Sequence, residues 1–86
     1  MRYLHEKLTT LREGIAGSAP RKRSWLLKEI REISEIAATD DPVISKELLK
    51  IEEGIINMSD DDMRKRIEID QIACKILNDQ EDRIRR

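Results

Sequence analysis

A chain of 86 residues is one domain long, and at that size only about 60–65% of the unfolded surface is buried on folding, so the core is thin and a stabilising partner is expected. Its composition is 41% charged and 38% hydrophobic, with one Trp, one Tyr and no Phe; this aliphatic and charged mixture suits interhelical seams and argues against an all-β fold. With 17 basic and 18 acidic residues, the net charge of −1 leaves no global field of the kind that marks a nucleic-acid or membrane-surface binder. No apolar run is long enough to span a bilayer.

The first helix is predicted from about Arg2 to Glu13, where Leu4, Leu8 and Leu11, continued by Ile15, fall on one face. It is expected to be short and to stop near Gly14, because GIAGSAP is loop chemistry. The second helix is predicted from Ala19 to about Ala38, with Ser18 as its cap and Pro20 in its first turn. Leu26, Ile30, Ile33 and Ala37 give its apolar stripe, flanked by Trp25, Leu27 and Ile36.

The third helix is the most legible. Asp41 offers an N-cap acceptor, Pro42 fits the first helical position, and Ile44, Leu48, Ile51, Ile55 and Met58 recur at a coiled-coil rhythm. Leu49 and Ile56 widen the stripe, so the helix is read as the centre of a bundle. The tight link through Thr39 to Pro42 makes helices two and three an antiparallel hairpin. Gly54, inside the third helix, reads as a close crossing or an early end.

Ser59 followed by Asp60, Asp61 and Asp62 marks the start of the fourth helix, with the carboxylates in the first turn. Met63, Ile67, Cys74, Leu77 and Ile84 form one apolar line along it and Ile69, Ile72, Ala73 and Ile76 a second. From residue 78 to 86 the sequence is nearly all polar and is expected to project or fray. The fold expected is an all-α bundle of three longer helices plus a short N-terminal one, a single domain over residues 1–86.

Little points to chemistry. His5 and Cys74 come from opposite ends of the chain, and Cys74 reads as a buried thiol. Two soft or imidazole ligands are too few for zinc, the glycines form no phosphate loop, and the Asp triplet lacks the ligand spacing of an EF-hand. No catalytic residue, metal or cofactor is expected. A lone cysteine makes no internal disulfide, and an N-terminus interrupted by His5, Glu6 and Lys7 lacks a secretory apolar core, so a cytoplasmic location is expected.

The basic clusters carry the functional expectation. Arg21–Lys22–Arg23 and Arg64–Lys65–Arg66 repeat one tripeptide, but the neighbouring residues match poorly and the repeat is read as chance. The second cluster has the Asp triplet beside it, whereas the first has only neutral residues before it and Trp25 just after. Arg21, Lys22, Arg23 and Trp25 are therefore the candidate contact surface for an acidic protein partner, against the plainer readings of a solvated charged face and a core Trp. The expected function is a non-enzymatic protein-binding regulator, inhibitor or adaptor. The alternative is a nucleic-acid-binding regulator using Arg21, Lys22 and Arg23 at the start of the second helix, to which Arg64, Lys65, Arg66 and the terminal Arg83, Arg85 and Arg86 could add. Homodimerisation is expected through the last helix at Ile69, Ile72 and Ile76, with the third helix lending part of its face, because two stripes exceed what one chain needs to cover; the competing account is a closed monomeric four-helix bundle in which the first helix folds back over the second stripe.

Overall fold

The computed structural model describes residues 2–85, with side chains from 3 to 82. The side chains of Arg83 and Arg85, and Arg86 as a whole, lie outside the described residues. The architecture is all-α, with helices α1 (Arg2–Ala16), α2 (Arg23–Asp40), α3 (Pro42–Asn57) and α4 (Met63–Arg85). Helix α1 packs on α2 and α4, and α3 packs on the same two, closing a four-membered ring of 39 × 21 × 17 Å. Neighbours run antiparallel: Arg23 at the start of α2 reaches the end of α3, and His5 near the start of α1 meets Glu81 near the end of α4. No described helix is long and apolar enough to cross a membrane.

The apolar stripes read from the sequence meet in the middle of this ring. Leu4, Leu8, Leu11 and Ile15 face Leu26, Ile30, Ile33 and Ala37 on one side and Ile69, Ala73 and Ile76 on the other, with Ile44, Leu48, Ile51 and Ile55 opposite, all essentially without solvent exposure. Burying each Leu or Ile contributes about 1.5–3 kcal/mol, which holds together a chain with almost no aromatic residues. At the α2–α3 link the Ile44 N–H donates to Asp41 Oδ1 at 3.4 Å with Pro42 in the first turn, so the cap signal is used as read. On the outside, Lys7 lies 3.8 Å from Glu29 and 3.3 Å from Glu32 of α2. The hydrogen bond it donates to Glu32, with the charge of Glu29, holds its amine above the ordinary lysine pKa.

Five expectations are revised. Helix α1 runs on through Gly14 to Ala16, so at 15 residues it is only one residue shorter than α3. Gly14 is helical because a neighbour needs the room: a Cβ there would lie 2.6 Å from Trp25 Cζ3. Helix α2 starts at Arg23, and its N-cap position is held by Lys22, which offers no side-chain cap. The segment before it is instead laid over the end of α1, where the Gly17 N–H donates to Glu13 O and the Arg21 N–H to Gly14 O. Helix α4 starts after the Asp triplet: Asp62 Oδ1 accepts from the Lys65 N–H at 3.1 Å, while Asp60 and Asp61 sit in the turn before it.

The fourth revision concerns the dimer seam. Ile69 and Ile76 are each 1% exposed and Ile72 is partly covered, because α1 and α3 enclose that stripe within one chain. Of the other line the first two residues remain outside, Met63 53% and Ile67 51% exposed, whereas Leu77 joins the core at 7%. Nor does the chain leave the bundle after Leu77, since Gln80 is fully buried and Glu81 Oε1 lies 3.5 Å from His5 Nε2.

The two hairpins follow one plan. Core positions Leu4, Leu8, Leu11 and Ile15 of α1 correspond to Ile44, Leu48, Ile51 and Ile55 of α3, each forty residues on. Leu26, Ile30, Ile33 and Ala37 of α2 correspond to Ile69, Ala73, Ile76 and Gln80 of α4, each 43 residues on, which is also the separation of the two Arg-Lys-Arg tripeptides. Glu13-Gly14-Ile15 recurs as Glu53-Gly54-Ile55. Both glycines admit a core side chain of the next helix, Leu26 Cδ2 at 3.3 Å from a Cβ on Gly14 and Ile69 Cγ1 at 2.9 Å from one on Gly54. This settles Gly54 as a close helix crossing. The tripeptide repeat belongs to a repeated αα-hairpin rather than standing alone.

Candidate functional site

The third residue of each basic tripeptide is turned inward. Arg23 lies at the start of α2, where its Nε donates to Ile55 O at 3.0 Å and its Nη2 to Ile56 O at 2.9 Å, while its backbone N–H donates to Asp60 Oδ1 at 2.7 Å. Arg66 is 2% exposed. Its Nη1 donates to Gly14 O and Ile15 O at 3.3 and 3.0 Å, its Nη2 to Arg21 O at 2.7 Å and its Nε to Asp60 O at 3.2 Å. Each guanidinium thus supplies donors to the carbonyls that a helix end leaves unpaired, and places a cation at the negative end of that helix's dipole. Arg23 does this for α3 and Arg66 for α1.

Arg23 is therefore corrected from a partner contact to a helix cap, and of the four candidate residues Arg21, Lys22 and Trp25 remain together at the surface. Arg21 lies over the Trp25 ring with its Cζ 5.1 Å from the centroid, a stacked cation–π arrangement that holds the guanidinium plane while leaving its donors free. Among the described residues no carboxylate pairs with it. Lys22 is exposed next to it. Trp25 is half-buried, one edge on Gly14 and its packing continuous with the core.

Beside this pair, between the segment 17–22 and α1, lies a cleft of about 460 Å³, lined by Thr10, Glu13, Gly17, Ser18, Arg21 and Trp25. Glu13 and the glycine floor of this cleft were not read as functional. Their signal was the helical Gly14, whose match to Gly54 shows only when the two hairpins are aligned forty residues apart.

The remaining polar groups have structural partners or stand apart. His5 lies against Glu81. Cys74 is a free thiol, half-exposed where a buried one was expected. The Asp triplet bonds within the chain through Asp60 and Asp62, and no group of three or more metal-binding side chains occurs among the described residues. No protein-family model matches the chain, and no curated protein or solved structure is found similar to it, so function is argued from the residues themselves.

Proposed function

We propose that the protein is a small non-enzymatic protein-binding module that acts in the cytoplasm as a regulator, inhibitor or adaptor on a macromolecular partner. The observation that carries this reading is Arg21, stacked on Trp25 at 5.1 Å and without an acidic partner among the described residues, at the lip of a cleft of about 460 Å³. Trp and Arg are the side chains that most often dominate binding energy at interfaces, and a guanidinium already held by a ring loses less rotamer freedom on docking. With Lys22 adjacent, the complementary surface is an acidic one presenting carboxylates to the fork of Arg21. The nucleic-acid alternative is weakened by the inward positions of Arg23 and Arg66, which remove two cations from the set available to phosphates.

The test is affinity capture from the source cell with the wild-type chain and with an Arg21→Glu/Lys22→Glu double variant, whose altered side chains are both exposed. A protein retained by the wild type and lost with the variant supports the reading. A gel shift with duplex DNA that falls steeply with salt and disappears on changing Arg21 and Lys22 to Ala replaces it with the alternative.

A further inference from the structure

The outer face of α3 carries apolar residues that the bundle does not use. Leu49 is 61% exposed and Ile56 43%, and their separation of seven residues puts them on one side of the helix. The other hairpin provides an internal control. At the same places in α1 stand Thr9 and Ala16, forty residues earlier, with the Thr9 hydroxyl donating to His5 O at 2.9 Å. A helix in this position of the fold therefore does not require leucine and isoleucine on its outer side.

The pattern around Leu49 is symmetric in a way that selects its occupant. Lys46 and Glu52 lie three residues to either side of it, and Pro42 and Ile56 seven to either side. If a second α3 lies antiparallel across Leu49, each Lys46 faces a Glu52 of the other copy, each Ile56 covers a Pro42, and Leu49 meets itself on the axis. None of these charges is ion-paired within the described part of the chain, so nothing has to be broken to form the contacts. A two-fold axis requires this kind of self-complementarity of one patch. The exposed residues of α4 do not offer the same free pattern: with Ile67 on the axis Arg64 would face Asp70, but Asp70 already holds Arg12 at 2.9 Å, and further along the same line Leu77 is only 7% exposed.

We propose that the outer stripe of α3 is a self-association surface, and that two copies of the chain dock through it antiparallel with Leu49 on the two-fold axis and Lys46 facing Glu52 of the second copy. The interface is independent of the Arg21–Trp25 cleft and leaves the core of each chain intact.

Sedimentation equilibrium of the full chain, from micromolar to millimolar, reads the proposal directly. The mass is expected to rise from 10.1 kDa toward twice that value. Leu49→Glu holds it at the monomer mass with the melting temperature of the dilute protein unchanged, because the side chain is outside the core. Lys46→Glu weakens association roughly tenfold or more, since it turns two attractions into two repulsions. The double exchange Lys46→Glu/Glu52→Lys restores it to within about threefold, because the pairs are re-formed with signs reversed. In a Cys74→Ser background, Leu49→Cys gives a disulfide-linked dimer on mild oxidation. A monomer at every concentration overturns the proposal. So does a dimer that survives Leu49→Glu, or one that dissociates with Ile67→Glu alone.

Discussion

Replacing Arg66 by Met removes a guanidinium while keeping a stem of similar length in the same slot. The structure assigns it four hydrogen bonds, to the carbonyls of Gly14, Ile15, Arg21 and Asp60, at a site 2% exposed. Hydrogen bonds from a charged donor contribute roughly 1.5–3 kcal/mol each in net terms. The sum overstates the loss, because burying the cation itself costs several kcal/mol, which the variant regains. What remains is the carbonyls at the end of α1, left with fewer donors in a region the Met side chain keeps dry. A net destabilisation on the order of 3 kcal/mol follows, and at roughly 4–8 °C per kcal/mol for a domain of this size the midpoint falls by about 10–25 °C. Arg66→Lys should lie between, since an ammonium reaches fewer carbonyls than the fork does. Urea and thermal unfolding of both, beside Arg64→Met as an exposed control expected within about 0.5 kcal/mol of wild type, give the comparison. Should Arg66→Met unfold within about 0.5 kcal/mol of wild type too, the inward arginine is not a structural cap. Both tripeptides would then have to be counted again as open cationic surface.

Three further outcomes follow from single positions. Gly54→Ala gains about 1 kcal/mol of helix propensity but sets a methyl 2.9 Å from Ile69 Cγ1 in the core, so a net loss of about 1 kcal/mol is expected in urea unfolding, and a gain would show that Ile69 yields freely. Gln80 is fully buried with neither amide atom bonded, so Gln80→Leu should raise stability by about 1–3 kcal/mol in thermal melts; a fall would mean that the amide is satisfied in solution. Lys7 has its folded pKa raised by Glu32 and then Glu29. Its contribution is therefore in place below the ordinary lysine value, while the two carboxylates are charged, and is lost as pH rises through the raised one, so the urea midpoints of wild type and Lys7→Met should stay apart at neutral pH and converge in that alkaline range. Convergence already at neutral pH would remove the pairing from the account.

The helices and the core were legible because aliphatic periodicity is a direct image of burial: all four stripes named from spacing contain the residues that are buried. Asp41–Pro42 was legible because a cap is local, a side chain and its own next turn. What was missed depended on residues far apart in sequence. Ser18 and Pro20 make a sound local start for α2, yet the chain between Gly17 and Arg21 uses its N–H groups on the end of α1, and Asp60, 37 residues away from Arg23, caps the helix instead. In the same way the two apolar lines on α4 were recognised but the dimer seam was placed on the one that α1 and α3 enclose, because nothing local distinguishes it from the line whose first residues, Met63 and Ile67, stay outside. Arg23 and Arg66 looked like surface because arginines usually are, and their inward positions follow from where two other helices end.

The repeated hairpin also separates the residues that the fold uses twice from those present in one hairpin alone. Whatever a four-helix ring of this kind needs, both hairpins should supply, and both do: the stripes, the helical glycine against a core side chain of the next helix, and the arginine that caps a neighbour's end. Residues present in only one hairpin are not explained by that requirement. Trp25 stands where the second hairpin has Glu68, and Leu49 and Ile56 stand where the first has Thr9 and Ala16. Of these, Trp25 has stacked on it a cation that no carboxylate pairs among the described residues, beside a cleft, and Leu49 and Ile56 sit exposed within a charge pattern that complements itself. If the divergence were drift, exchanging Leu49 and Ile56 for Thr and Ala, the residues the first hairpin carries there, would change neither stability nor assembly. A loss of self-association at unchanged stability would place the added function on α3.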